Sequence, residues 1–234
     1  MNAIMQHQQD MSKKGYAIID DVFNAVEIQQ ILDLINDADT SNPTFRKSAD
    51  LFAIRQFLKE IPAVKPIILK SVLTEIIESI FGKGYFPVKS IYFDKPEQSN
   101  WFVAWHQDLT ISVSNKAGLP GYSNWTSKQD QFAVQPPLEI LEDNFTIRIH
   151  LDDTDELNGA LKVIQRSHLQ GICRPESVDQ ADICKIKKGG IMIMRPLLMH
   201  ASDRTTNNEK RRVIHIEFSR SKLPAGINWA EAIS

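Results

Sequence analysis

The apolar positions of this chain change their spacing after its first third. Ahead of about residue 84 they recur in the three- and four-residue steps of amphipathic helices. Ile28, Ile31, Leu32 and Ile35 form one stripe, and Asn24 with Glu27 three residues later supplies a capping-box start. Leu69, Val72, Leu73, Ile76, Ile77 and Ile80 form a second stripe, closed by Gly82. Tyr16–Ile19 reads as a short strand. From Phe86 onward, β-branched and aromatic enrichment predicts strands over 88–94, 102–105, 145–151, 191–194 and 213–219. Lys95-Pro96, Asn158-Gly159, Gly189-Gly190, Arg195-Pro196 and Asn207-Asn208 punctuate them as turns. Helices first and many strands later predict a sheet sandwich or barrel with helices packed outside.

Two of these strands alternate cleanly. In 145–152 the odd positions Phe145, Ile147, Ile149 and Leu151 are apolar, and the even ones are Thr146, Arg148, His150 and Asp152. In 211–218, Ile214, Ile216 and Phe218 share a face with Arg212, while Arg211, Val213, His215 and Glu217 share the other. A strand alternates its faces with period two, so each has one dry and one polar face. The residues leave two readings open: core on one side and water on the other, or polar faces that line the inside of a barrel.

Between Ile111 and Asn144 the periodicity is lost, and Gly118, Pro120, Gly121, Pro136 and Pro137 interrupt the chain. Trp125 and Phe132 are out of place in a purely solvated linker. A loop of this length, about 112–144, is expected to be a lid facing a substrate. Arg55 falls in a stretch, Phe52-Ala53-Ile54-Arg55-Gln56, that reads as irregular.

Composition narrows the class. The 234 residues are 42% hydrophobic and 24% charged, with net charge −2. This suits a single domain with its own core, here a helical part over about 1–84 and a barrel over about 85–221. The charge balance gives no reason to expect nucleic acid or an anionic membrane as partner. No apolar run reaches spanning length, and the first residues lack the charged and apolar regions of a secretory signal, so a cytoplasmic protein is expected. Cys173 and Cys184 match no redox or zinc spacing and read as free thiols. Oligomeric state is left open.

Candidate chemistry sits at Trp105-His106-Gln107-Asp108, an H-x-D directly after a predicted strand. Alone, H-x-D is common. Its partners are His200, after the strand at 191–194, and Arg211 at the head of the next strand. Two histidines and one carboxylate are the ligand set of the facial triad of non-haem Fe(II) oxygenases. Neutral imidazoles and one carboxylate hold iron on one face and leave positions open for a keto acid and O2. A guanidinium then suits the far carboxylate of that acid through two parallel hydrogen bonds.

At these residues the sequence resembles the phytanoyl-CoA dioxygenase family of 2-oxoglutarate-dependent oxygenases. The likeness also runs through Phe93-Asp94-Lys95-Pro96, Leu151-Asp152-Asp153, Asn158-Gly159-Ala160-Leu161, Arg166-Ser167-His168 and His200-Ala201-Ser202. It covers nearly the whole chain, from Gly15 to Trp229. The family often has Pro-Gly before Ser-His, where this chain has Gln165-Arg166. The resemblance implies a mainly β fold with flanking helices, a double-stranded β-helix of the jelly-roll or cupin-like kind. It implies Fe(II), 2-oxoglutarate and O2, with His106, Asp108 and His200 as metal ligands. Arg211 would hold the C5 carboxylate, Ser202 would add a hydroxyl to it, and Gln107 would lie near the cosubstrate. Arg148 would help to position 2-oxoglutarate or substrate. Halogenating members replace the metal carboxylate by a small residue. Asp108 therefore implies hydroxylation or a related oxidation, of a small-molecule substrate. Two other classes use the same scaffold: a non-catalytic jelly roll, and a zinc hydrolase for which Glu217 is the candidate base. Trp101 and Trp105, odd-numbered beside His106 and Asp108, are expected to pack on the opposite strand face. His150, His168 and His215 are expected to be structural, with His215 the best placed of them to support the site.

Overall fold

Local sequence signals set the helical layer. The computed structural model describes residues 3–49, 52–128, 131–174, 178 and 180–232. Helix α1 (Ala3–Lys13) leads into strand β1 (Tyr16–Ile19) and helix α2 (Ala25–Asn36). Asn24 Oδ1 accepts from the N–H groups of Val26 and Glu27 at 2.9 and 3.0 Å, and Glu27 accepts from the Asn24 N–H at 2.9 Å. The expected capping box is present, an arrangement worth about 1 kcal/mol. Strands β2 (Phe45–Lys47) and β3 (Phe52–Arg55) pair antiparallel. Arg55 is thus on a strand, not in irregular chain. The paired stretches are too short for a period-two signal. Short helices α3 (Phe57–Glu60) and α4 (Lys65–Ile68) precede α5 (Ser71–Phe81), which ends at Gly82 with φ 88°.

The strands follow in order: β4 (Phe86–Lys95), β5 (Val103–His106), β6 (Ile111–Val113), β7 (Ser123–Lys128) and β8 (Gln131–Gln135). After helix α6 (Leu138–Asp143) come β9 (Phe145–His150), β10 (Leu161–Val163), β11 (Asp182–Ile183), β12 (Ile191–Met194), β13 (His200–Ser202) and β14 (Arg211–Ser219). A seven-stranded sheet runs β1-β12-β9-β14-β4-β3-β2, and a four-stranded sheet β11-β10-β13-β5 faces it. All ladders are antiparallel, and the fold is a double-stranded β-helix. Pro87 sits where the β4–β14 register shifts, between the Glu217↔Lys89 and Phe218↔Pro87 pairs, so its missing N–H interrupts no regular ladder.

The two open readings of β9 and β14 are now separated. Every residue of β9 is buried, and in β14 only Arg212 is not fully so. The odd face of β9, with Ile214, Ile216 and Phe218 of β14, packs outward against α2 and α5 in the main hydrophobic core. The polar faces point into the barrel. The densest part of the core is aromatic. Phe145 stacks on Phe81 at 3.8 Å between centroids and on Phe218 at 5.2 Å.

The segment at 112–144, expected to be a loop, is mostly regular. Strands β6, β8 and β7 form a third sheet in that order, and α6 follows. Gln129 and Asp130 lie outside the described residues. The strand pattern is faint because Ser123–Lys128 is polar and its pairing with β8 is irregular near 123–126. The flap seats on Val88, Ile111, Val113, Val134 and Leu141, together with Ile227 and Trp229 of the C-terminal tail. That tail is tied down by Glu231, which accepts from the Ser90 N–H at 2.9 Å.

Because Phe145 is fully buried in the aromatic stack, Phe145→Ala should cost about 3–5 kcal/mol of unfolding free energy. Val72 belongs to the same helical stripe but is 46% exposed. Val72→Ala should stay within about 0.5 kcal/mol. Urea denaturation of both variants checks the pair.

Candidate metal centre

The site is built where β5 and β13 pair. His106 and His200 are direct cross-strand partners, and their ring centroids lie 4.2 Å apart. Asp108 follows just past the end of β5, where its N–H donates to Pro196 O at 2.9 Å. That bond ties the carboxylate's backbone to the turn leading into β13. Asp108 Oδ1 is 3.8 Å from His106 Nε2, and Oδ2 is 3.8 Å from His200 Nε2. Two ligands about 2.1 Å from one ion lie at most about 4.2 Å apart, so both spacings suit a shared metal.

Backbone bonds orient the imidazoles. His106 Nδ1 is 2.8 Å from Ala104 O and His200 Nδ1 is 2.8 Å from Leu198 O. Each Nδ1–H is thereby used, and each Nε2 lone pair turns toward Asp108. Burial pushes the His200 pKa down to about 4, so the ring is neutral at physiological pH. Burial alone would raise Asp108, but His200, His215, Lys89 and His106 around it hold it down at about 2. Asp108 Oδ2 is buried with no hydrogen-bond partner. An ionised, unpaired, buried carboxylate oxygen beside two imidazole nitrogens is an arrangement that could hold a cation.

Behind the three ligands lies a cavity of about 200 Å³, lined in part by Arg148, Ser202, Arg211 and His215. Ser202, two residues past His200, turns to the same side. Arg211 is 4% exposed, and its Nε and Nη1 have no partner. Two guanidinium donors aimed into a polar cavity fit a carboxylate. Arg148 Nη1 donates to His215 Nδ1 at 3.3 Å. His215 Nε2 is 3.3 Å from Glu217, which is bonded to Lys89 Nζ at 2.5 Å. This chain of side chains leads from the cavity out to half-buried Lys89.

Two expectations change. Gln107 does not line the cavity. Its Nε2 donates to Gly171 O and Leu197 O at 2.8 and 2.7 Å, and its Oε1 accepts from the Cys173 N–H. Strand alternation turns it away from His106, so it anchors the 171–173 loop. Trp101 does line the cavity, against the parity argument, because the β5–β13 register shifts between the His200↔His106 and Ser202↔Val103 pairs, and the extra residue puts odd-numbered Trp101 and Val103 on the same side as His106. Trp101 stacks on Phe93, with ring centroids 6.2 Å apart. Lys89 was not singled out from the sequence, and Phe93 and Lys95 were named only within a turn or a stretch of family likeness, with no role at the site. Their alternation along β4, on one face with Ile91, was the available signal. Lys95 is buried, donates to Asp203 O and is pushed down to about 7 by burial and by Arg211. Gly159, at φ 79°, makes room there, since a Cβ would come 2.6 Å from both Lys95 Nζ and Asp203 O. His150 is buried, with Nδ1 2.8 Å from Thr154 Oγ1, and His168 lies 3.3 Å from Ser12 O. A wider groove of about 460 Å³ beside α1 and α5 holds no metal-ligand cluster among the described residues.

A double-stranded β-helix with two histidines and one carboxylate at its mouth, and a buried arginine behind them, defines the architecture of the non-haem 2-oxoglutarate oxygenases. The profile of Phytanoyl-CoA dioxygenase (PhyH) matches residues 11–213, and the chain belongs to that family, whose cofactors are Fe(II), 2-oxoglutarate and O2. No curated protein matches the chain. Among solved structures it is similar to EvdMO1, with TM-score 0.70 and 17% identity over 94% of this chain and 50% of that one. HygX from Streptomyces hygroscopicus, solved with nickel, 2-oxoglutarate and hygromycin B bound, gives TM-score 0.67 and 13% identity over 92% and 87%. EctD from S. alaskensis in its apoform gives 0.70 and 16% over 92% and 76%. The chain thus spans half the length of EvdMO1 and most of the other two. No described helix is long and apolar enough to cross a membrane.

Burial, with Arg148 and Arg211 adding to it, holds the His150 pKa well below 6.5. The unfolded chain therefore binds the extra proton first, and stability contributed by neutral His150 is lost as pH falls below about 6.5. Denaturation of the metal-free protein should show that fall in the wild type and a shallower one in His150→Leu. Equal slopes would refute it.

Proposed function

We propose that this protein is an Fe(II)- and 2-oxoglutarate-dependent dioxygenase that hydroxylates, or otherwise oxidises, an unactivated C–H of a small molecule, releasing succinate and CO2. The observation that carries the reading is Arg211. A buried guanidinium with two orphaned donors lies in the same cavity as the His106, Asp108 and His200 cluster. His106, Asp108 and His200 would hold iron, whose role when bound is to activate O2 with 2-oxoglutarate. Arg211 takes the C5 carboxylate through its free edge, and Ser202 stands beside it. Phe93, Trp101, Val103 and Leu161 supply the apolar walls that keep the reacting centre dry.

His106 also lines an open groove of about 550 Å³ with Trp105, Asn124 and Gln135. The last two belong to the β7–β8 hairpin. This makes the flap the cover of the substrate approach, consistent with its amides and few charges. A hydrolytic reading needs a free base at the metal. Glu217 cannot serve, because Lys89 and His215 both bind it and Lys89 holds it ionised against the pull of burial. A non-catalytic reading has no explanation for an intact ligand set with a free arginine behind it.

Anaerobic titration of the Fe(II) protein with 2-oxoglutarate should produce a saturable visible charge-transfer band. Asp108→Ala should abolish it, and Arg211→Ala should weaken 2-oxoglutarate binding by at least about tenfold. A folded, iron-loaded wild type without the band overturns the assignment.

A further inference from the structure

Arg148 is a second buried arginine in the metal cavity, and the reading above leaves it without a counterion. It is 8% exposed and lines the cavity beside Asp108 and His200. Nη1 is its one nitrogen with a hydrogen-bond partner among the described residues, and that partner is neutral, the Nδ1 of His215. Nε is buried and unpartnered. The usual reason for an inward arginine is a structural ion pair, and no carboxylate forms one with Arg148 among the described residues. Asp108 is the carboxylate whose charge acts on it, yet Asp108 Oδ2 accepts no hydrogen bond.

The charges on this side of the barrel otherwise cancel, apart from Lys95, which burial and Arg211 bring close to neutrality. Lys89 and Glu217 neutralise each other. A divalent metal with Asp108 keeps one positive charge, and 2-oxoglutarate brings two negative charges against that one and Arg211. Arg148 then remains as one uncompensated positive charge in a buried site. Position also separates the two arginines. Arg211 pairs across the sheet with Lys95, at the inner end of β14. Arg148 pairs with His215, four residues along that strand. With Nη1 held by His215, the Nε edge of Arg148 is left to accept a planar two-oxygen group side-on.

We propose that Arg148 is a specificity-determining residue that binds a carboxylate of the substrate, so that the enzyme acts on small organic acids. The inference rests on the oxygenase reading and deepens it. Recognition of a buried acid by this edge discriminates strongly, because the matching amide or ester leaves the guanidinium unpaired.

The test uses the anaerobic Fe(II)–2-oxoglutarate protein. Acetate, propanoate and benzoate are titrated against acetamide, propanamide and benzamide, with the charge-transfer band and the melting temperature as readouts. In the wild type the carboxylates should perturb the band and raise the melting temperature, and the amides should do neither. Arg148→Gln should lose the carboxylate response, Arg148→Lys should retain part of it, and in both the dissociation constant for 2-oxoglutarate should move by less than about threefold. A tenfold or greater loss of 2-oxoglutarate affinity in Arg148→Gln would make Arg148 a cosubstrate residue and overturn the proposal. Equal responses to acids and amides, or no response to any acid, would overturn it too. A wild type that forms no band at all defeats the oxygenase reading itself, which is a separate outcome.

Discussion

The central strands β12, β9 and β14 of the major sheet are buried on both faces, and the two faces meet different surroundings. Outward lie Phe145, Ile147, Ile149, Ile214, Ile216 and Phe218 under the helices. Inward lie Arg148, His150, Arg211, His215 and Glu217, all nearly inaccessible. Burying charge is costly unless each charge finds a partner. The inward face therefore works as an inventory. Lys89 answers Glu217, and His215 bridges Glu217 to Arg148. Among the charged groups, those with unpartnered atoms are Asp108 at Oδ2, Arg148 at Nε and Arg211 at two donors. A cation for the first and anions for the others would complete the set. The aromatic and aliphatic core on the opposite face offsets the cost of keeping those groups apart.

Placement of the metal ligands depends on few contacts. β5 is an edge strand joined to β13, and the His200↔His106 pair is one rung of a short ladder that shifts register before Ser202. A slip of one residue would turn both imidazoles to the other face. Three backbone contacts guard against this: the two Nδ1 contacts to residues two positions back, and Asp108 N–H on Pro196 O. Gln107, pointing the other way, pins the same segment to Leu197 and to the 171–173 loop. Its role is to keep the ligand strand in register from outside the cavity.

Legibility in the sequence followed the length and cleanliness of each pattern. The capping box at Asn24, the Gly82 stop and the alternation of β9 and β14 are local signals, and the structure carries each of them. His106, Asp108 and His200 were readable as ligand types, and the fold brings them together. Strands of two or three residues, such as β10, β11 and β13, have no period to read; their pairing comes from neighbours distant in sequence. The flap escaped for a related reason, since β6 is only three residues long and β7 is polar with an irregular pairing to β8. Gln107 and Trp101 show the limit of parity. Alternation orients Gln107, just past the end of β5, correctly, but it fails for Trp101, because the register shift inside β5 reverses the parity ahead of it.

The choice of cation along the cavity follows the same electrostatics. Lys95 and Arg211 are cross-strand neighbours in similar surroundings. Burial brings the lysine down to about 7, close to losing its proton at physiological pH, while the arginine is brought only to about 9. A guanidinium starts from so high a pKa that desolvation cannot neutralise it. A lysine at position 211 would relieve its burial by deprotonating and would then offer a carboxylate no charge. Lys95 takes the role open to an amine on the verge of neutrality, donating to the Asp203 carbonyl and steadying the segment that carries Ser202. Arg148, held at about 10, stays charged for the same reason as Arg211. Two permanent positive charges in one cavity repel each other, and Arg148 lowers the hold of Arg211 on its proton. Anions lying against both would relieve that repulsion, so one acid on each arginine would stabilise the loaded site against the empty one.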